Sequence, residues 1–193
     1  MKPGDRKEAR LGALVKEMLG LIGDDPSREG LLKTPQRVAR SWGELMDGMR
    51  VDVDKLIRGA VFKAPDSDMV MVTDIQFYSI CEHHLLPFFG KCHIAYVPKG
   101  RIIGLSKLPR LVRAYSHRLQ VQENLTSQIS RALERALEPM GVGVVIEARH
   151  LCMEMRGARS IMSPTKTSSM RGVFRSSART REEFLSLIAN PLR

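Results

Sequence analysis

A chain of 193 residues, 43% of them hydrophobic, can build one sizeable core, as a single domain or a domain with a helical appendage. Three cysteines exclude a disulfide scaffold, no apolar run reaches the roughly 18 residues of a membrane span, and the charged start excludes a secretory signal, so a cytoplasmic setting is expected. The formal charge of +10 favours anionic partners, and with aromatics at only 5% a phosphorylated small molecule is expected over nucleic acid or a membrane surface.

Leu11, Leu14, Val15, Met18, Leu19 and Ile22 recur at helical spacing and predict a first helix stopped at Gly23. Thr34 as N-cap and Pro35 at the first position predict a second helix through Val38, Trp42 and Leu45, with a short amphipathic stretch around Leu56 and Ile57 after it. From Met69 the period changes: Val70, Val72, Ile75, Phe77 and Ile80 predict a strand. A further strand is expected over Lys91–Val97, turning at Pro98-Lys99-Gly100 and returning over Arg101–Leu105 as a hairpin. Two helices follow, one opening at Ser106 and one over Val121–Pro139. A strand from Val144 to Met155, a Thr-x-Thr strand leading into Val173 and a closing helix over Glu182–Ala189 complete the order. The expected class is α+β, with a helical region at 1–60 followed by a ββααββ domain at 61–193.

Cys81-Glu82-His83-His84 places a thiolate and an imidazole three positions apart, close enough to share a tetrahedral ion. Strand alternation would put His150, Cys152, Glu154 and Arg156 on one face, so that Cys152 could join the same metal. Cys92 alternates with Ile94 and Tyr96 and reads as a core residue, which leaves three protein ligands and an open, catalytic position. His83 and His150 are then candidates for proton transfer. Ser106 at a helix start, with Lys107, Arg110 and Arg113 along one face, would serve a phosphate chain. Glu123 beside Gln122 can accept the N1–H and amino donors of guanine. A structural alternative stays open, a nucleic-acid-binding protein with a closed four-ligand zinc site that includes Cys92.

Several motifs in sequence resemble the GTP cyclohydrolase I family. They are Cys81-Glu82-His83-His84-Leu85-Leu86-Pro87-Phe88, Gly104-Leu105-Ser106-Lys107, Gln120-Val121-Gln122-Glu123-Asn124-Leu125-Thr126, His150-Leu151-Cys152-Met153 with Arg156-Gly157, and Thr165-x-Thr167-Ser168 with Gly172-x-Phe174. The resemblance implies a tunnelling fold, a homodecamer of two pentameric rings with pockets between subunits, and conversion of GTP to 7,8-dihydroneopterin triphosphate and formate, feeding a folate-type or other pterin pathway. It implies one Zn2+ per subunit on Cys81, His84 and Cys152, with His150, His83 and Ser106 as catalytic residues. Lys107, Arg110 and Arg156, with Arg37, would hold the triphosphate, and Gln122 and Glu123 would recognise guanine. The chain departs from the pattern at Pro109, His117 and Pro164, the last of which is expected to disturb the Ser/Thr strand.

Overall fold

The computed structural model describes residues 3–64 and 68–190. The chain divides into two compact units, Met1–Asp47 and Gly48–Arg193. The first holds α1 (Pro3–Leu21) and α2 (Thr34–Leu45). Only part of the α1 stripe is covered: Val15 and Leu19 are buried, whereas Leu14, Met18, Leu21 and Ile22 stay exposed. Helix α2 begins one residue away from the sequence expectation, with Lys33 in the cap position and Thr34 as its first residue.

The second unit runs α3 (Val53–Arg58), β1 (Val61–Lys63), β2 (Val70–Cys81), β3 (Pro87–Val97), β4 (Arg101–Ile103), α4 (Lys107–Ser116), β5 (Leu119–Gln120), α5 (Gln122–Leu137), β6 (Gly141–His150), α6 (Leu151–Glu154), β7 (Thr165–Gly172), α7 (Val173–Ser176) and α8 (Ala178–Ala189). The expected ββααββ unit is present as β2, β3, α4, α5, β6 and β7. Its sheet has the order β5-β2-β3-β6-β7, antiparallel except where β5 runs parallel to β2.

Period-two alternation decides what each face carries. Cys92, Ile94 and Tyr96 of β3 and Val142, Val144 and Ile146 of β6 join Leu108, Leu111, Leu125, Ile129 and Leu133 from α4 and α5 in one core. Their sequence neighbours Ala95 and Val145 face the other way and meet Phe174 and Phe184 from α7 and α8. Cys92 is fully buried, as its alternation with Ile94 and Tyr96 predicts, and burial pushes its thiol far above the ordinary range. The two central strands come unusually close at Gly90, where a Cβ would run into the Glu147 carbonyl.

A polar seam joins α5 to β7. Gln122, Thr126, Ser130 and Glu134 recur every four residues along α5, a rise of about 6 Å per step. Thr167, Ser169 and Arg171 recur every second residue along β7, a rise of about 6.6 Å. The steps match, so Thr126 meets Thr167 at 2.7 Å, Ser130 meets Ser169 at 2.8 Å, and Glu134 meets Arg171 at 2.7 Å.

Four sequence expectations are corrected. Arg101–Ile103 does not return as a hairpin on β3; it pairs with Val61–Lys63 in a separate two-stranded sheet. Both edges of β3 are already taken by β2 and β6, which leaves no ladder for β4 to join. Nor does the strand expected over Val144–Met155 continue through Cys152: β6 stops at His150 and α6 follows. The last β3–β6 pair is Phe88 with His150, and the next β3 residue, Pro87, has no N–H to offer. On the other side, β7 pairing ends at Ala148 with Thr165, directly after Pro164. Pro164 therefore precedes its strand and does not interrupt it. Finally, the closing helix starts at Ala178, four residues before Glu182, on a cap formed by Ser177, whose Oγ accepts from the Thr180 N–H at 3.2 Å.

Candidate metal centre and its surroundings

Cys81 ends β2 and is held from both sides. Its N–H donates to the Leu86 carbonyl at 2.9 Å, and its carbonyl accepts from the Leu85 N–H at 2.9 Å, closing the 82–86 loop on itself. Leu85 takes a left-handed conformation (φ 54°) to make that closure. The Glu82 N–H donates to the Gln120 carbonyl at 3.0 Å, which ties the loop to β5. This tight return brings His84 Nδ1 to 3.8 Å from Cys81 Sγ.

Cys152 reaches the same point from the end of β6, which lies at the same end of the sheet beyond the start of β3, on the α6 turn and not on a strand face. The turn is clamped by Arg149, which donates from Nε and Nη2 to the two Glu154 carboxylate oxygens at 2.8 and 2.6 Å. That fork holds the Glu154 carboxyl below its usual range. The ligand atoms of Cys81, His84 and Cys152 all lie within 4.8 Å of one another. Burial, followed by the neighbouring Cys81, pushes the Cys152 thiol up. Two sulfurs and an imidazole suit a borderline-soft divalent ion, and three ligands leave one tetrahedral position for a water or a substrate. The donor set fits a metal. Cys92 lies in the core and not in this group.

Around the trio, Arg156 Nη2 donates to His84 Nε2 at 2.7 Å. His83 is exposed on the same loop, with its ring centroid 6.2 Å from that of His84. His150, at the end of β6, stacks flat on Phe88 with centroids 4.7 Å apart and planes 2° apart. Its Nε2 lies 2.7 Å from Gln122 Oε1. Burial lowers the His150 pKa, partly offset by the charges of Glu123 and Glu154. Glu123 is exposed in the first turn of α5. Gln122 is only 1% exposed, and its amide nitrogen is engaged inside the fold by Ile146, Thr165 and Thr167. Sequence reasoning put Glu154 on one face with His150 and Cys152 and quoted Phe88 and Thr167 within motifs, but gave none of the three a role, and it missed Arg149, which carries no local signal.

The anion site expected at the start of α4 is built differently from its prediction. Ser106 occupies the cap position without a side-chain cap bond. The Lys107 N–H donates to the Gly104 carbonyl at 2.8 Å and the Leu108 N–H to the Leu105 carbonyl at 3.1 Å, while Pro109 has no N–H. The first three helical residues therefore offer no spare amide, and any anion held there relies on the Lys107 and Arg110 side chains. Arg37 lies on α2 in the first unit.

A GTP cyclohydrolase I family profile matches residues 11–189. The chain is 52% identical over 177 residues to the GTP cyclohydrolase 1 of Campylobacter curvus, covering 92% of this chain and 93% of that one. It is 52% identical over 175 residues to the enzyme of the same name from Leptospira biflexa, covering 91% and 96%. With that from Deinococcus radiodurans it shares 52% over 183 residues, covering 95% and 85%. A solved structure described as the apo form of the archaeosine synthase QueF-Like superposes with a TM-score of 0.47 at 17% identity, over 57% of this chain and 97% of that chain. With a profile match over almost its whole length and relatives at this identity, the chain belongs to the GTP cyclohydrolase I family.

Proposed function

We propose that the chain opens the guanine imidazole ring of GTP hydrolytically, releases formate, and recloses the product to 7,8-dihydroneopterin triphosphate. The observation that carries this reading is the Cys81, His84 and Cys152 group, gathered from two distant segments beside His150. A zinc ion held by these three residues would supply Lewis acidity, which lowers the pKa of a water towards neutrality. Family membership supports GTP as the substrate.

The chain's own groups divide the remaining work. His150, pressed flat on Phe88, exchanges protons with the five-membered ring of the base. His83, exposed on the metal loop, assists ring opening and formate loss. Glu123 accepts the paired N1–H and amino donors of guanine, a bidentate contact that adenine cannot offer. Lys107, Arg110 and Arg156 hold the triphosphate, with Ser106 at the ribose and Arg37 as a further anion contact. A homodecamer acting in the cytoplasm goes with this reading. The exposed apolar residues Leu14, Met18 and Leu21 on α1, with Ile22 just after it, support burial against another subunit, and no helix among the described residues is long and apolar enough to cross a membrane.

The test follows formate and a fluorescent pterin from purified, zinc-replete protein given GTP. Formation of both at equal rates supports the proposal. Zinc-loaded protein that yields neither overturns it. Light scattering checks the assembly, which should weigh ten times the 21.7 kDa chain.

A further inference from the structure

The buried start of α5 carries a chain of hydrogen bonds whose direction can be assigned, with the two Gln122 amide hydrogens shared among three acceptors. Gln122 Nε2 lies 3.1 Å from the Ile146 carbonyl oxygen, 2.9 Å from the Thr165 carbonyl oxygen and 3.1 Å from Thr167 Oγ1. Backbone carbonyls only accept, so the amide nitrogen must face them and the amide oxygen must face His150. An amide oxygen also only accepts. The His150 Nε2 that approaches it at 2.7 Å must therefore carry a hydrogen.

The hydroxyls close the chain. Thr126 Oγ1 donates its one proton to the Gln122 backbone carbonyl at 2.7 Å. It can then only accept from Thr167 Oγ1, also at 2.7 Å. Thr167 spends its proton there and accepts from Gln122 Nε2. The polarity of the whole chain thus descends from backbone carbonyls held in the α5–β6–β7 frame.

We propose that Gln122 is a positioning residue, anchored by the Ile146 and Thr165 carbonyls, that locks His150 in the Nε2–H tautomer with Nδ1 as its sole basic nitrogen. Phe88 sets the plane of the ring, and Gln122 sets its rotation within that plane. Both Gln122 amide atoms already have partners within the chain, so base recognition falls to its exposed neighbour Glu123. The catalytic consequence rests on the proposed GTP reaction; the tautomer does not.

The test uses zinc-replete full-length protein labelled with 15N-histidine, studied by solid-state NMR at about pH 8. The spectrum of His150→Asn identifies the His150 signals by difference. We expect a protonated Nε2 and an unprotonated Nδ1 in the parent and also in Thr167→Val, where the Ile146 and Thr165 carbonyls still orient the amide, and mixed tautomers in Gln122→Leu. A His150 protonated on Nδ1 in the parent overturns the proposal, whether or not GTP is turned over. Kinetics give a second readout: Gln122→Leu should lower kcat on the order of tenfold or more at nearly unchanged KM for GTP. A raised KM with kcat preserved would make Gln122 a substrate reader and overturn the proposal. If the tautomer holds while the parent does not turn over GTP, the positioning role stands and the proposed reaction fails.

Discussion

Arg149 grips Glu154 with two parallel hydrogen bonds, at 2.8 and 2.6 Å, across the short turn that carries Cys152. The Glu154 side chain is only 9% exposed while Arg149 reaches it from a solvent-exposed position, so the strength of the fork lies in its two-point geometry. Opening it would free the turn that delivers one of three sulfur and nitrogen ligands. Glu154→Gln keeps the shape and removes the charge. It is expected to weaken metal binding about tenfold, the scale at which groups supporting metal ligands act. Arg149→Lys should do likewise, because an ammonium cannot reproduce the fork. Competition with a chromophoric chelator measures both, and unchanged affinity would make the clamp irrelevant to the metal.

Cys92→Ala should keep one metal per chain. Cys92 sits in the core formed by β3, β6 and α5, so its truncation is expected to cost stability of about 1 kcal/mol, read as a lowered Tm. Metal lost together with the sulfur would restore a closed four-ligand site and the nucleic-acid-binding reading that goes with it.

Ser106→Ala tests the unexpected start of α4. A Ser-to-Ala change at a working N-cap costs typically about 1 kcal/mol. Here the side chain makes no cap bond, so Tm should stay within a degree of the parent. Lys107→Met, by contrast, should raise KM for GTP about tenfold, since the nearby amides cannot substitute for the lost cation. A normal KM in Lys107→Met would remove α4 from the phosphate site.

His93 gives a pH prediction. The Asp74 N–H donates to its Nδ1 at 3.3 Å, where β2 bulges and Asp74 adopts φ 56°. Burial lowers the imidazole pKa from its ordinary 6.5; Asp74 and Glu147 oppose the shift, and Lys91 and Lys166 reinforce it. A depressed folded-state pKa means that the unfolded chain binds the proton more readily. Stability from this group is full above about pH 6.5 and declines as pH falls towards the folded value. Between pH 7.5 and 5.5 the parent should lose more Tm than His93→Gln does. Equal losses would contradict the role of the neutral ring in holding the bulge.

The elements that alternate or repeat most regularly were legible in the sequence. Val142, Val144 and Ile146 announce a strand, and Leu125, Ile129 and Leu133 a helix face, because burial on one side imposes those periods. Cys81, His84 and Cys152 were legible as a set. The path that brings Cys152 to Cys81 and His84 was not, since β6 ends where Pro87 opens one neighbouring strand and Pro164 precedes the other. The same holds for β4, whose partner depends on which edges of β3 are already filled. Gln122 shows the limit for side chains: its position in a motif is local, but its partners Ile146, Thr165 and Thr167 come from two other strands.

The most direct test of the account strips the protein of metal with chelator and returns Zn2+ in steps. Formate release from GTP is measured at each step, for the parent and for Cys152→Ser. The account predicts a linear rise that levels at one zinc per chain in the parent, and no rise in Cys152→Ser at the same zinc concentrations. Full turnover by the stripped protein, or full turnover by Cys152→Ser, would contradict it.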